Sequence, residues 1–267
     1  MKKPKISVIM SVDNGMPYLK QAVESILNQT YKNFEFIIVD DASGDSSWNY
    51  LWSLKDKRIK LIKNKRNLGL AASLNTALLK AKGEYIARMD ADDISLPTRF
   101  DEQINFLAKN KSIDLCGTFA QLIDEKNRKV GELKYPSIPS EIKNKLILFN
   151  PIIHPTFFAR KKFFRDLNGY REEFDGAEDY ELLLRGSKVF QYANLQKELF
   201  RLRLSSTRRS VHFMNKMDKL DLKIKLDFIK ENGLSPLSLY AVVKKLFFLI
   251  LLSPSLKIKM AKFLKKA

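Results

Sequence analysis

Tyr85-Ile86-Ala87-Arg88-Met89-Asp90-Ala91-Asp92-Asp93 decides the fold: an apolar run of strand length delivers three carboxylates within four residues. Like charges a few ångströms apart repel, and each raises the pKa of its neighbours. A hard cation such as Mg²⁺ or Mn²⁺ removes that cost, since it takes oxygen ligands and keeps positions open for phosphate oxygens. An Asp-x-Asp at the carboxyl end of a central strand therefore reads as a metal–diphosphate site. The plainer alternative is a turn in which Asp92 or Asp93 caps the helix beginning near Pro97.

Outward from this stretch, apolar runs of strand length recur at Ile6–Met10, Phe34–Val39, Ile59–Ile62 and Ile113–Cys116. Between them lie helix-like segments at Tyr18–Leu27, Ser46–Leu54, Leu70–Ala81 and Pro97–Ala108. Such alternation predicts an α/β fold with a parallel sheet covered on both faces and right-handed crossovers. Ligands then sit beyond the carboxyl ends of the strands. Those ends read Ser11-Val12-Asp13-Asn14, Asp40-Asp41-Ala42-Ser43, Asn67-Leu68-Gly69 and Asp90-Ala91-Asp92. Every one brings polar or acidic residues to the same rim, which turn chemistry alone does not explain.

From Asn127 to Glu141 the chain is polar and punctuated by Pro136 and Pro139, and is expected to be a surface loop. Phe157–Ala159 reads as a short strand, Asp175–Leu184 as the start and body of a helix, and Leu199–Leu204 as one more strand. Met214–Ile229 and Leu237–Leu252 read as helices.

The chain has 267 residues with 48 Lys and Arg against 30 Asp and Glu, a formal charge of +18. From Arg201 to the last residue the count is 16 − 4 = +12, leaving +6 for the first 200 residues. The basic last quarter thus seeks an anionic partner. The single cysteine, Cys116, sits in an apolar run as a core residue; one cysteine forms no internal disulfide, which fits a reducing cytoplasm. The chain enters its first strand directly after Met1-Lys2-Lys3-Pro4, so secretion through a signal peptide is not expected.

No GxxxxGK[ST] and no GxGxxG after the first strand is present, so charge neutralisation for a phosphorylated ligand falls to a metal at Asp90 and Asp92. Asp41 is placed to accept a hydrogen bond from a base N–H, though an Asx-turn after the strand is a competing reading. Glu178-Asp179 begins a helix, where acids are favoured by the dipole alone. The functional alternative makes one of them a general base facing the metal site.

These stretches resemble the family 2 glycosyltransferases over roughly residues 5 to 210. The carriers are Ser7-Val8-Ile9-Met10-Ser11, Ser25-Ile26-Leu27-Asn28-Gln29-Thr30-Tyr31, Phe36–Ser43 and Asn67-Leu68-Gly69-Leu70. Ala87–Asp93 with Pro97-Thr98-Arg99-Phe100, His154-Pro155-Thr156, and Ala177-Glu178-Asp179-Tyr180-Glu181-Leu182 follow in family order. The resemblance implies a GT-A fold, a Rossmann-like, mostly parallel central sheet flanked by helices. It also implies an inverting transfer from a nucleotide-diphosphate sugar, usually a UDP-sugar, with Mn²⁺ or Mg²⁺. Asp41 matches the acid that reads uracil, with Ser11, Asp13, Asn67 and Arg88 around the nucleotide. Asp90 matches the first acid of the DXD motif, near ribose and metal, and Asp92 the metal ligand. Asp179 matches the proposed base of the ED motif, with Glu178, His154 and Asp93 beside the acceptor or donor sugar. Three positions depart from the family. Asp13 replaces a usual Tyr or Phe, Leu183 a frequent Trp, and Arg203 a histidine that could ligate metal; Arg203 could instead touch the diphosphate.

Residues 1–210 are thus expected to form the catalytic domain, with 1–120 binding nucleotide and 121–210 binding acceptor, and 211–267 a basic helical extension. Leu246–Leu252 is strongly apolar but too short for a span, which needs ~20 apolar residues. With Lys244, Lys245 and the lysines of Leu256–Leu264 and beyond, residues 237–267 read as an amphipathic segment for an anionic membrane surface. The competing reading packs that face on the catalytic domain or a second subunit. Nucleic acid is not expected, since aliphatics stand where stacking aromatics would be. The expected enzyme is a peripheral, cytoplasmic-face transferase that extends a glycan or lipid-linked acceptor in bacterial surface polysaccharide synthesis. The alternatives are a sugar nucleotidyltransferase, which would need a Gly- and Arg-rich phosphate loop, and a basic non-enzymatic binding module.

Overall fold

The computed structural model describes residues 4–205 and 214–251. The expected helix over Leu256–Leu264, with its lysines, and the boundary at residue 210 lie outside the described residues.

Nine strands form one sheet in the order β3-β2-β1-β4-β8-β6-β9-β5, with β7 paired to β6. The strands are β1 (Ile6–Val12), β2 (Phe34–Asp40), β3 (Ile59–Lys63), β4 (Tyr85–Arg88), β5 (Ile94–Ser95), β6 (Leu115–Ile123), β7 (Lys129–Leu133), β8 (Phe158–Arg160) and β9 (Tyr192–Arg203). The first four pair in parallel, as the alternation predicts. Parallel pairing returns between β6 and β9, while β8 runs antiparallel to both β4 and β6, so the sheet as a whole is mixed.

Helices cover both faces because consecutive residues of the central strands are apolar on both sides. Phe36 and Ile38 of β2 face α1 (Leu19–Leu27), α2 (Ser47–Ser53) and α4 (Arg99–Lys109). Ile37 and Val39 face α3 (Leu70–Lys80), α5 (Pro139–Leu146), α6 (Lys161–Asp166) and α7 (Glu178–Gly186). Two further helices, α8 (Met214–Asn232) and α9 (Pro236–Leu251), join this second layer through Ile224 and Ala241.

Two elements correct the sequence reading. Residues 127–141 are not all loop: β7 pairs with β6 there, and α5 begins at Pro139. Lys129, Val130 and Glu132 of β7 are exposed, so this edge strand shows no apolar alternation to betray it. Neither Asp92 nor Asp93 caps the next helix. The short strand β5 and its pairing to β9 intervene, and α4 starts after Thr98. One sheet also runs through residue 120, because β6 spans Leu115–Ile123.

Candidate active site

The chain leaves β1 outward to β2 and β3, then returns to β4 on the other side of β1. The carboxyl ends of β1 and β4 therefore flank a topological switch point, where open α/β sheets bind ligands. Ser11, half-buried, and Asp13, exposed, lie at the end of β1; Asp90 and Asp92, both half-buried, follow β4.

Three buried guanidiniums hold the acid loop from below. Arg88 ion-pairs with Asp90. Burial opposes the charge on Arg88, but Asp90 more than restores it, and the pKa moves up. Arg99 donates to the Arg88 carbonyl at 2.7 Å and to Gln103 Oε1 at 3.0 Å. Arg203 reaches in from the end of β9. Its Nε donates to the Asp92 carbonyl at 2.7 Å, Nη1 to the Asp124 carbonyl at 3.1 Å and Nη2 to Gln21 Oε1 at 2.9 Å. Its backbone N–H donates to Asp93 Oδ1 at 2.8 Å. Arg203 is 0% exposed, so it supports the acid loop from behind and offers no open charge to a diphosphate. Asp93 is equally buried and turns toward this support rather than toward the rim.

Carboxylate oxygens of Asp90, Asp92 and Asp93 lie within 4.8 Å of one another. An all-oxygen set of this kind fits Mg²⁺ or Mn²⁺. The arginines help hold these acids together: Arg88 pairs with the Asp90 carboxylate, the Arg203 N–H donates to that of Asp93, and the Arg203 side chain fixes the Asp92 backbone.

A second cluster stands at the start of α7. Ligating atoms of His154, Glu178 and Asp179 also lie within 4.8 Å of one another. Burial and the neighbouring Asp179 push Glu178 up to about 7. Burial also raises Asp179, opposed by the Tyr180 N–H, by Arg88 and by Asn150, whose Nδ2 donates to Asp179 Oδ2 at 2.7 Å. His154 is nearly enclosed; burial and Arg88 drive its pKa well below the ordinary value, so the ring is neutral. Its Nε2 lies 2.9 Å from the Tyr170 hydroxyl. Arg88 and Tyr170 each feel the charges of both Asp90 and Glu178, so the two acidic clusters have Arg88 as a common neighbour.

The residues expected beside a nucleotide are engaged with the protein itself. Asp41 is 1% exposed. Its Oδ1 accepts from Asn64 Nδ2 at 2.7 Å and from the Leu68 N–H at 2.9 Å, and its Oδ2 from the Gly69 N–H at 2.9 Å. In this arrangement Asp41 shapes the loop before α3. Asp13 accepts from Asn67 Nδ2 at 2.9 Å and Asn14 Nδ2 at 2.8 Å, so the exposed polar rim has its own network. Leu183 is fully buried in the core and lines no open surface.

Sequence reasoning assigned no role to Arg99, Asn150, Tyr170 or Asp175. Arg99 and Asp175 lie in segments the sequence marks as motif or helix start, but their partners are set by tertiary contact; Asp175 Oδ1 accepts the Ala71 N–H from 104 residues away. Asn150 and Tyr170 carry no local signal.

The family model for glycosyl transferase family 2 matches residues 7–167. The chain belongs to glycosyl transferase family 2. It is similar to the O-antigen biosynthesis glycosyltransferase WbnJ of Escherichia coli, 38% identical over 186 residues, covering 67% of this chain and 70% of that protein. In fold the glycosyltransferase is similar to S. aureus TarS solved with UDP-GlcNAc, at TM-score 0.69 and 19% identity, covering 92% of this chain and 73% of that one. The mannosyltransferase PcManGT from Pyrobaculum calidifontis, solved with GDP-Man and Mn²⁺, aligns at TM-score 0.66 and 17% identity over 98% of this chain and 74% of that one. At such identities these structures speak to the fold alone. The matched family segment includes the acid loop, Asp41, Asn67 and His154; Glu178, Asp179 and Arg203 fall beyond it.

Proposed function

We propose that this glycosyltransferase is an inverting, metal-dependent enzyme. In this reading it moves a sugar from a nucleotide-diphosphate sugar, a UDP-sugar in the first instance, to a hydroxyl of a glycan or lipid-linked acceptor in surface polysaccharide synthesis. The supporting observation is that two acidic clusters share the buried Arg88 as a common neighbour. WbnJ, named for O-antigen biosynthesis, supports the substrate class. TarS with UDP-GlcNAc and PcManGT with GDP-Man and Mn²⁺ support the donor class and the cation.

Asp90 and Asp92, with Asp93 behind them, would hold Mn²⁺ or Mg²⁺, which when bound supplies the positive charge that a departing diphosphate needs. The chain's own residues carry the proton chemistry. Below about pH 7 Glu178 keeps its proton and the pair bears one negative charge, which falls to Asp179 because the Tyr180 N–H, Arg88 and Asn150 all favour its ionised form against burial. Asp179 Oδ2 takes the proton from the acceptor hydroxyl as that oxygen attacks the anomeric carbon. The bond from that carbon to the diphosphate oxygen breaks, its electron pair leaves with the nucleoside diphosphate, and the anomeric centre inverts. Neutral His154 is held by Tyr170 and frames the sugar side. Ser11, Asp13 and Asn67 line the nucleoside rim, with Asp41 fixing the loop that carries Asn67. Residues 1–120 supply the nucleotide half and 121–210 the acceptor half. A cytoplasmic setting fits the lone, fully buried Cys116.

The test is a panel of nucleotide sugars assayed for cation-dependent transfer or hydrolysis. Asp92→Asn and Asp179→Asn should each lower kcat by about 10²–10⁴-fold with melting temperatures close to the parent. Full turnover in either variant removes that residue from its assigned role.

A further inference from the structure

We propose that His154, Glu178 and Asp179 form a second divalent-cation site, one that takes Zn²⁺ and is separate from the all-oxygen cluster at Asp90, Asp92 and Asp93. His154 opens the single turn His154–Thr156, and the two acids open α7. His154 Nδ1 stands 3.7 Å from Glu178 Oε1 and 4.0 Å from Asp179 Oδ2. Those separations are too long for hydrogen bonds. They lie close to the edge of a zinc tetrahedron, which is about 3.3–3.5 Å for ligands at about 2.0–2.2 Å from the metal. Contraction by about half an ångström brings all three onto one ion and leaves the fourth position for water.

The imidazole is oriented as a ligand. His154 is 9% exposed, and the rings of Phe157 and Tyr170 hold it edge-to-face at 4.9 Å and 5.6 Å between centroids. Its Nε2 lies 2.9 Å from the Tyr170 hydroxyl, while Nδ1 has no hydrogen-bond partner among the described residues. With the ring proton on Nε2 and donated to Tyr170, the Nδ1 lone pair faces both carboxylates. An outer partner that fixes tautomer and ring direction in this way is the usual companion of a metal-bound histidine. A ring nitrogen so enclosed, aimed at two carboxylates and bonded to neither, calls for an occupant between them.

The acids are oriented too. The Gly176 N–H donates to Glu178 Oε2 at 2.7 Å, leaving Oε1 as the oxygen nearer the ring. Asn150 takes one lone pair of Asp179 Oδ2, and a carboxylate oxygen has a second for a metal. Arg88, the nearby cation, is already paired with Asp90. The Asp179 side chain is 24% exposed, which opens the cluster to solvent and gives an ion its way in. Imidazole suits Zn²⁺, whereas carboxylates alone suit Mg²⁺ and Mn²⁺, so the two clusters sort cations by ligand type. Zinc here occupies the oxygen assigned to proton abstraction and stops transfer; that consequence, unlike the site, rests on the proposed mechanism.

The full chain, freed of metal by chelation, is titrated calorimetrically with ZnCl₂ near neutral pH. The Asp92→Asn variant removes the acid-loop site from the count and should still bind one equivalent, which excess Mg²⁺ does not displace. In that background His154→Gln should weaken zinc binding by about 10-fold or more, and Tyr170→Phe by about 10-fold. Tyr170→Phe keeps the test decisive if His154→Gln fails to fold. Substituting the chain's other histidine, as His212→Gln, should leave the affinity unchanged. Co²⁺ should show visible bands of a nitrogen-ligated tetrahedral site that His154→Gln abolishes. The proposal is overturned if Asp92→Asn binds no zinc, if His154→Gln and Tyr170→Phe bind as tightly as their background, or if His212→Gln alone removes the site. Zinc that binds through His154 yet leaves Mn²⁺-dependent turnover intact upholds the site and removes Asp179 from the base role, so the two readings fail separately.

Discussion

Glu178 and Asp179 occupy a setting that disfavours two adjacent negative charges, and the titration of Glu178 is the measurable consequence. Burial and Asp179 raise it from 4.5 to about 7, so the folded protein holds this proton more tightly than the unfolded chain does. Stability linked to Glu178 is then complete at low pH and is lost as pH rises from about 4.5 to about 7, levelling off above. Glu178→Gln lacks that loss. Its melting temperature should gain on the parent between pH 5 and pH 8 by a few degrees, at about 2–4 °C per kcal/mol for a chain of this size. A gap that is constant with pH would mean that Glu178 is ionised throughout. Asn150 offers a second handle at this scale, since its amide donates to Asp179 Oδ2. Removing a donor that favours the carboxylate raises its pKa. Asn150→Ala should shift the acidic limb of the kcat–pH profile to higher pH, by about one unit for a bond to a charged group, with KM for donor little changed. An unmoved limb would separate Asn150 from the base.

At the scale of elements, the amino end of α3 shows how a rim residue can be structural. Leu68 and Gly69 give their N–H groups to Asp41, and Ala71 gives its own to Asp175. Two carboxylates thus satisfy donors that a helix start leaves open and complement its dipole. Gly69 has φ +93°, and a Cβ there would lie 3.0 Å from Asp175 Oδ2, so the turn demands glycine. Asp41→Ala removes an acceptor from Asn64, Leu68 and Gly69, of which Asn64 keeps Ser73 Oγ at 2.9 Å and Gly69 keeps Asn67 Oδ1 at 3.2 Å; the cost is about 1–3 kcal/mol, read as a melting temperature several degrees lower. If Asp41 only contacted the nucleotide, donor affinity would fall and the melting temperature would hold. The same element marks what the sequence could disclose. Buried strands announce themselves through runs such as Phe36–Val39, and the acids at their ends through the expense of clustering charge. The capping role of Asp175 rests on a contact 104 residues distant, and no local pattern encodes it. The two-residue strand β5 and the exposed β7 were illegible for a related reason: their pairing partners, not their own side chains, define them. Arg203 could be located at a strand end but not oriented, because its role depends on β9 meeting β5 beside the acid loop.

Across the whole molecule, the parallel half and the mixed half of the sheet meet near Arg88, Arg99 and Arg203, whose buried charges stand behind three aspartates. Such an arrangement is preorganised but electrostatically costly, since burying ions is repaid only by close opposite charge. A cation on the exposed side of Asp90 and Asp92 adds attraction without removing the arginines, and should stabilise the fold through mass action. With Mn²⁺ and UDP each near one hundred times its dissociation constant, each saturating step is worth about 2.7 kcal/mol. A melting temperature rise of about 5–10 °C is then expected for the first of them, reversed by chelation. Asp92→Asn should lose the cation-dependent rise while keeping the parent's unliganded melting temperature, because the Asp92 group that Arg203 holds is its backbone carbonyl. Asp93→Asn should behave in the opposite sense. Its carboxylate accepts the Arg203 N–H from a fully buried position, so the unliganded protein itself melts lower. An equal rise with Mn²⁺ in parent and Asp92→Asn would place the cation elsewhere than between the two strands that flank the switch point.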